Sequence, residues 1–244
     1  MNNELWKSIS ENVLFLLQFL GIVVAMFIIA YAAEKILKKR NKDTERVLST
    51  RKVTFIGLLS AIAAILHILK FPVAFIAPPF YEMDLSEIPV IIGAFAYGPV
   101  AGVMIEFCKI LLKLLISGTT TAFVGDLANF VIGCSYILPA AIIYAYSKSK
   151  KSAIFGCVVG TVSIAVFGGV FNWLYLIPTF AKMFFGNDIE MIIGMGTAVN
   201  AAIDSVFKMA LFSVVPFNLL KGTAISVSAM LVYKKLSPVL KKSR

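Results

Sequence analysis

The chain has 244 residues, of which 59% are hydrophobic and 15% charged, and its mean hydropathy is +0.90. A soluble domain carries about 45–50% apolar and about 25% charged residues, so the composition fits a bilayer as solvent and excludes a large soluble domain. The net charge of +10 comes with no basic–aromatic module, so nucleic acid is not an expected partner.

Met1–Glu11 contains Glu4 and Glu11, lacks a basic leader, and does not read as a signal peptide. Asn12–Ala33 is apolar and long enough to span a bilayer. Lys35, Lys38, Lys39 and Arg40 close it, and Asn41–Thr50 is a polar linker. Residues 1–50 thus read as an added transmembrane helix with its linker, and residues 51–244 as the main membrane domain.

Arg51 and Lys52 open the next span, Val53–Leu69. Gly57 and Ala61 are four apart, as are Ser60 and Ala64, giving a smooth strip for close helix contact inside or outside the bundle. Lys70–Pro89 is broken by Pro72, Pro78, Pro79 and Pro89, yet Phe71, Phe75, Phe80 and Tyr81 keep it apolar. It is either a lid folded onto the bundle or a connector at headgroup level. Ile88–Tyr97 reads as a short span, Gly98–Pro99 as a turn, and Val100–Ser117 as the returning span. In the returning span Glu106 and Lys109 are spaced to pair with each other, while Lys113 has no acid at helical spacing.

After the polar stretch Gly118–Thr121, a descending span with Asp126 and Asn129 near its start runs to Tyr146, kinked at Pro139. Asp126 is either an early-turn acid favoured by the helix dipole or a group for a ligand. Ala153–Ile177 is Gly-rich and ends in Asn172, Trp173 and Tyr175, where an aromatic belt accounts for the last two. Pro178–Val215 reads as an excursion with a surface amphipathic helix and an Asp204–Lys208 pair. Pro216–Tyr233 is the last span, with Asn218 and Lys221 on one face near its start.

Sixteen of the 23 Lys and Arg residues fall at one set of helix ends: Lys35, Lys38, Lys39, Arg40, Lys42, Arg46, Arg51, Lys52, Lys148, Lys150, Lys151, Lys234, Lys235, Lys241, Lys242 and Arg244. By the positive-inside rule those ends are cytoplasmic, the N-terminus is extracellular and the C-terminus cytoplasmic. Cys108, Cys134 and Cys157 are not spaced for a metal, and His67 has no second ligand. No GxxxxGK[ST], HExxH, GxSxG or CxxC motif is present, so neither ATP hydrolysis nor another enzymatic activity is expected of this chain, and no cofactor or metal either.

Six blocks carry a family resemblance. They are the strip Gly57–Leu58–Leu59–Ser60–Ala61, the loop from Phe80 to Pro89, the run Ala94–Gly102, the block Gly125–Phe130, the run Pro216–Gly222, and the six-helix pattern itself. Over roughly Arg51 to Leu240 the chain resembles the riboflavin-specific substrate-binding (S) component of energy-coupling factor (ECF) vitamin transporters. It departs in its extra N-terminal helix, in Asp126 where Glu is expected, and in Gly57 and Ala61 where two alanines are usual. The resemblance implies an all-α, multi-pass protein of the bacterial cell membrane, with six core helices plus one. It implies capture of riboflavin on the outer side, then toppling in the membrane to release it inside. The partners would be a transmembrane coupling subunit and two ATPase subunits.

Asn218 and Lys221 would touch the vitamin, with Tyr81, Met83 and Asp84 from the capping loop. The chemistry agrees: a carboxamide can both donate to and accept from the uracil-like edge of the flavin. A lysine can donate to a ring carbonyl, or to a phosphate if flavin mononucleotide binds. Trp173 and the loop aromatics offer packing surface, and Asp126, Asn129 and Asn172 can take ribityl hydroxyls. Gly57, Ser60, Ala61 and Ala64 would meet the coupling subunit. A different vitamin on the same scaffold (folate, pantothenate or thiamine) is the alternative, and a membrane enzyme the more distant one.

Overall fold

A computed structural model describes residues 13–242, and the reading of Met1–Glu11 lies outside them. The architecture is a helical bundle: α1 (Val13–Asn41), α2 (Thr50–Ile68), α3 (Glu87–Tyr97), α4 (Pro99–Ser117), α5 (Val124–Ser147) and α6 (Lys150–Phe171). There follow α7 (Ile177–Phe184), α8 (Ile189–Val199), α9 (Val206–Met209) and α10 (Val215–Lys242). Five helical runs are long and apolar enough to cross a membrane: Phe15–Asn41, Thr50–Ile68, Val124–Ser147, Lys150–Phe184 and Val206–Tyr233. The 11-residue α3 is shorter than a span, roughly 16 Å at 1.5 Å per residue. It and α4 lie against one another around the Gly98–Pro99 turn.

Local chemistry starts several helices. Ser49 caps α2 through the N–H of Lys52, and Ser149 with Ser152 forms a reciprocal capping box on α6. Asp188 accepts from the N–H groups of Glu190 and Met191 to start α8. Helices α5 and α6 approach closely, so that a Cβ at Gly156 would fall 2.7 Å from the carbonyl oxygen of Ala140. Between α2 and α3 the only sheet among the described residues is a two-stranded ribbon, β1 (Phe71–Pro72) with β2 (Glu82–Met83). It closes the proline-broken loop into a flap over one end of the bundle.

Two expected boundaries fall inside continuous helices. The outer excursion does not begin at Pro178, and the last helix does not begin at Pro216. The helix of α6 passes through a π-turn at Asn172–Leu176 directly into α7, and α9 passes through a π-turn at Ala210–Val214 into α10. Each proline stands two residues after its π-turn. A proline lacks the N–H that an α-helix needs and crowds the preceding turn; a wider π-turn just before it relieves that crowding. The true excursion is therefore short, and the amphipathic helix within it is α8, with Ile192, Ile193 and Gly196 buried. The Asp204–Lys208 ion pair forms at its end.

The small-residue strip of α2 divides. Gly57 and Ala61 are exposed, and nothing lies within 4 Å of a Cβ built on Gly57. Ser60 and Ala64 face the core, Ser60 Oγ donating to the carbonyl of Ile56 at 2.7 Å. The four residues therefore do not share one contact face.

Helix α1 packs into the bundle. Phe19, Val23 and Ala30 join Val103, Ile110, Leu127 and Phe130 in one apolar cluster. At its basic end the buried carboxylate of Glu34 accepts the N–H of Val100 at 3.0 Å. That N–H is one of the orphan donors at the start of α4, whose own cap residue, Gly98, has no side chain to offer. Gly98 sits at φ 103°, ψ 173°, and a Cβ there would lie 2.7 Å from Glu34 Oε2. Gly98→Ala is expected to cost about 1–3 kcal/mol from the strained backbone and the lost fit. A thermal melt in detergent is the check, with Glu34→Gln showing a smaller loss.

Candidate ligand-binding site

Beneath the flap lies a cavity of about 680 Å³, within the 300–1,000 Å³ usual for small-molecule sites. Asn218, Lys221 and Phe217 come from α10, His67 from α2, and Asp126 and Asn129 from α5. Asn172 comes from the π-turn, and Phe80, Tyr81 and Asp84 from the flap. Because the last helix starts at Val206 rather than Pro216, Asn218 and Lys221 are not at its mouth. They stand twelve and fifteen residues in, roughly 18 and 22 Å along the axis, and are 4% and 5% exposed.

The flap is tied down by polar contacts. Tyr81 donates its hydroxyl to Asn172 Oδ1 at 2.7 Å, and Asn172 Nδ2 donates to the carbonyl of Gly168 at 2.8 Å. Burial raises the Tyr81 phenol well above its ordinary range, so it stays a donor. Asp84 Oδ2 accepts from Lys221 Nζ at 2.9 Å and faces His67 Nδ1 at 3.4 Å, while Asp84 Oδ1 takes the N–H of Ser86. Burial by itself would raise the Asp84 carboxyl, but the Lys221 ammonium and His67 outweigh it and hold it well below the usual carboxylate range.

Two more ion pairs line the same cavity. Lys113 Nζ meets Asp126 Oδ1 at 2.8 Å, and Lys70 pairs with Glu82 at the flap. Lys113 thus has its acid on the next helix, not at helical spacing on its own. The other oxygen of Asp126 accepts from Thr119 at 2.8 Å. Asn129 Nδ2 donates to the carbonyl of Gly125 at 2.9 Å, leaving its amide oxygen for a guest. The carboxamide of Asn218 has no hydrogen-bond partner among the described residues, although it is buried and lines the cavity. It is pressed against Gly168, where a Cβ would lie 2.6 Å from its Nδ2.

Seven of the nine expected site residues therefore share one chamber: Asn218, Lys221, Tyr81, Asp84, Asp126, Asn129 and Asn172. Met83 and Trp173 do not line it. Met83 is the buried inner residue of β2, packed with Val73, Ala77 and Phe217 as the flap's own core. Trp173 is 40% exposed and lies edge-on to Phe207, 5.1 Å between centroids, on the outer side of the π-turn. Sequence reasoning missed Phe217 and found no second ligand for His67; their positions beside Asn218 and opposite Asp84 arise from tertiary contact alone.

A second cavity, about 720 Å³, lies at the basic end between α1, the linker and the α3–α4 turn. There Lys38 and Lys52 are spent on Asp43, Glu45 and linker carbonyls. It holds no unpartnered buried polar side chain among the described residues, and the flap-covered chamber is the better ligand site.

A family model described as the substrate-specific component of ECF transporters matches residues 51–233. The chain belongs to that family. Its members are transporter components and not enzymes. The chain is 33% identical over 196 residues to a riboflavin transporter, RibU, of Staphylococcus aureus, covering 79% of this chain and 93% of that one. It is 29% identical over 199 residues to the riboflavin transporter FmnP of Bacillus subtilis, covering 81% and 97%. A solved structure of the S component of a bacterial ECF transporter superposes with a TM-score of 0.60 at 32% identity, covering 78% of this chain and 98% of that chain. Helix α1 lies outside the matched residues 51–233. The protein is an S component and a multi-pass membrane protein.

The depressed Asp84 carboxyl has a consequence for stability. A carboxylate lowered on folding contributes stability above its unfolded value, near pH 4, and that contribution is lost as pH falls through the folded value. Asp84→Asn leaves the buried Lys221 short of a partner, an expected loss of about 3–5 kcal/mol. In melts across pH, the gap between the two proteins should be constant above about pH 4 and narrow only below it.

Proposed function

We propose that this S component captures riboflavin in the flap-covered chamber and delivers it through a transmembrane coupling subunit driven by two ATPase subunits. The observation that carries the reading is Asn218: a buried carboxamide with no hydrogen-bond partner among the described residues, lining the flap-covered chamber beside a lysine with donor capacity left over. Asp84 and Glu87 occupy two directions of the Lys221 ammonium, at 2.9 and 3.3 Å, and a third hydrogen remains for a ring carbonyl. Asn218 then meets the imide edge, Phe80, Tyr81 and Phe217 pack the ring, and Asn129 takes a ribityl hydroxyl. The relatives named as riboflavin transporters support the choice of vitamin.

In this reading the basic helix ends are cytoplasmic, so the N-terminus and the flap face outward and the C-terminus inward. Residues 51–244 form the six-helix binding domain, with the short α3 and α4 counted as separate helices, and residues 1–50 add one helix. The coupling subunit meets the exposed side of α2 at Gly57 and Ala61, with Ser60 and Ala64 supporting that face from inside. The membrane is that of a bacterial cell.

The cavity's three lysines are each matched by a carboxylate: Lys221 with Asp84, Lys113 with Asp126 and Lys70 with Glu82. A phosphate of about −1.5 to −2 charges would find no unmatched lysine there. Flavin mononucleotide is therefore expected to bind at least about tenfold more weakly than riboflavin, a difference of 1.4 kcal/mol or more. Quenching of riboflavin fluorescence by purified protein tests the whole reading, with flavin mononucleotide, folate, pantothenate and thiamine as competitors. Lys221→Ala should cost about 1.5–3 kcal/mol of affinity. Saturating riboflavin that stays unquenched, or is displaced equally well by one of the other vitamins, overturns it.

A further inference from the structure

Behind Lys221 the ion pairs continue into the bundle. Glu87 is 1% exposed and does not line the cavity. Its Oε1 stands 3.3 Å from Lys221 Nζ and 3.4 Å from Lys109 Nζ, so one oxygen bridges two ammoniums. Lys109 is fully buried; it also meets Glu106 Oε1 at 2.6 Å and donates to Ser86 Oγ at 3.0 Å. The order from the cavity inward is Asp84, Lys221, Glu87, Lys109, Glu106, with alternating sign at every step.

We infer that Glu87, braced by Lys109, is the positioning residue that aims the Lys221 ammonium into the vitamin chamber. This rests on the assignment of Lys221 to the riboflavin site. Two carboxylates hold that ammonium, and they belong to different parts of the fold. Asp84 sits on the flap, whereas Glu87 sits on the first turn of α3, where the helix dipole favours an acid. Asp84 alone would let Lys221 follow the flap. Glu87 anchors it to the bundle and screens it from the second ammonium behind. Lys109 in turn holds Glu87 in place, itself held by its hydrogen bond to Ser86 and its ion pair with Glu106. The lysine that meets the guest therefore has its direction set by residues the guest never touches.

A double-mutant cycle with riboflavin as titrant separates this role from a purely structural one. Full-length protein, Glu87→Gln, Lys221→Met and the double variant are titrated in nanodiscs by fluorescence quenching. Melting curves confirm that each is folded. Glu87→Gln should weaken binding on the order of tenfold in the Lys221 protein and have no further effect once Lys221 is Met. Glu87→Asp, which keeps the alternating charges and so preserves folding, should weaken binding in the same Lys221-dependent way by withdrawing the carboxylate. Equal losses with and without Lys221, or unchanged affinity in Glu87→Gln and Glu87→Asp, overturn the positioning role while leaving the riboflavin site standing. Absence of quenching by the unmodified chain removes the riboflavin site first and the positioning role with it.

Discussion

Charge matching in a dry interior is the constraint on which this bundle depends. An ionisable side chain at the centre of a bilayer costs about 2.5–3.5 kcal/mol on insertion scales, and the chain buries Asp84, Glu87, Glu106, Lys109 and Lys221 together. These groups persist only if each finds its opposite within a few ångströms. That requirement draws the flap, α3, α4 and α10 to one place, since no single element carries enough partners. The ligand chamber is the open end of the same arrangement. Its mostly apolar walls carry a few charged groups continuous with the ionic core behind them, and the flap that covers it supplies one of those charges.

Some of this was legible in the sequence. Glu106 and Lys109 stand at helical spacing, and the structure joins them at 2.6 Å. The apolar but proline-broken loop does fold onto the bundle, because exposed Phe and Tyr side chains with interleaved acids suit a lid better than water. Lys113 shows the limit. Its acid, Asp126, lies thirteen residues away on the next helix, and pairing across a turn has no periodic signature. His67 and Glu87 were unreadable for the same reason: each acquires its meaning from a charge on another element.

The two misplaced boundaries have one cause. Pro178 and Pro216 read as helix punctuation, the correct default in a soluble protein. Within a membrane a broken helix would leave carbonyls with no water to satisfy them, so continuing the helix through a local π-turn is the less costly solution. The sequence did hold a pointer, since mostly apolar residues flank both prolines, Trp173–Ile177 before Pro178 and Val214, Val215 and Phe217 around Pro216. The two π-turns also lie against each other. One of them begins at Asn172, so the irregularity that keeps the helix intact is also what turns an amide toward Tyr81 and the chamber.

Glu34 and Gly98 show how the added helix fits. A helix outside the family-matched region would be expected to lie loosely on the bundle, yet its carboxylate supplies the cap that α4 lacks. No rule of local sequence can find a cap delivered from 66 residues away. The fit also has a directional effect. With α1 occupying the side of α4 and α5, small residues lie open outward on α2, at Gly57 and Ala61, and on α1 itself, at Gly21 and Ala25. A helix from another subunit can approach closely only where side chains are short. The added helix therefore covers the side of α4 and α5, while its polar lock at the opposite end from the flap leaves the ligand chamber untouched.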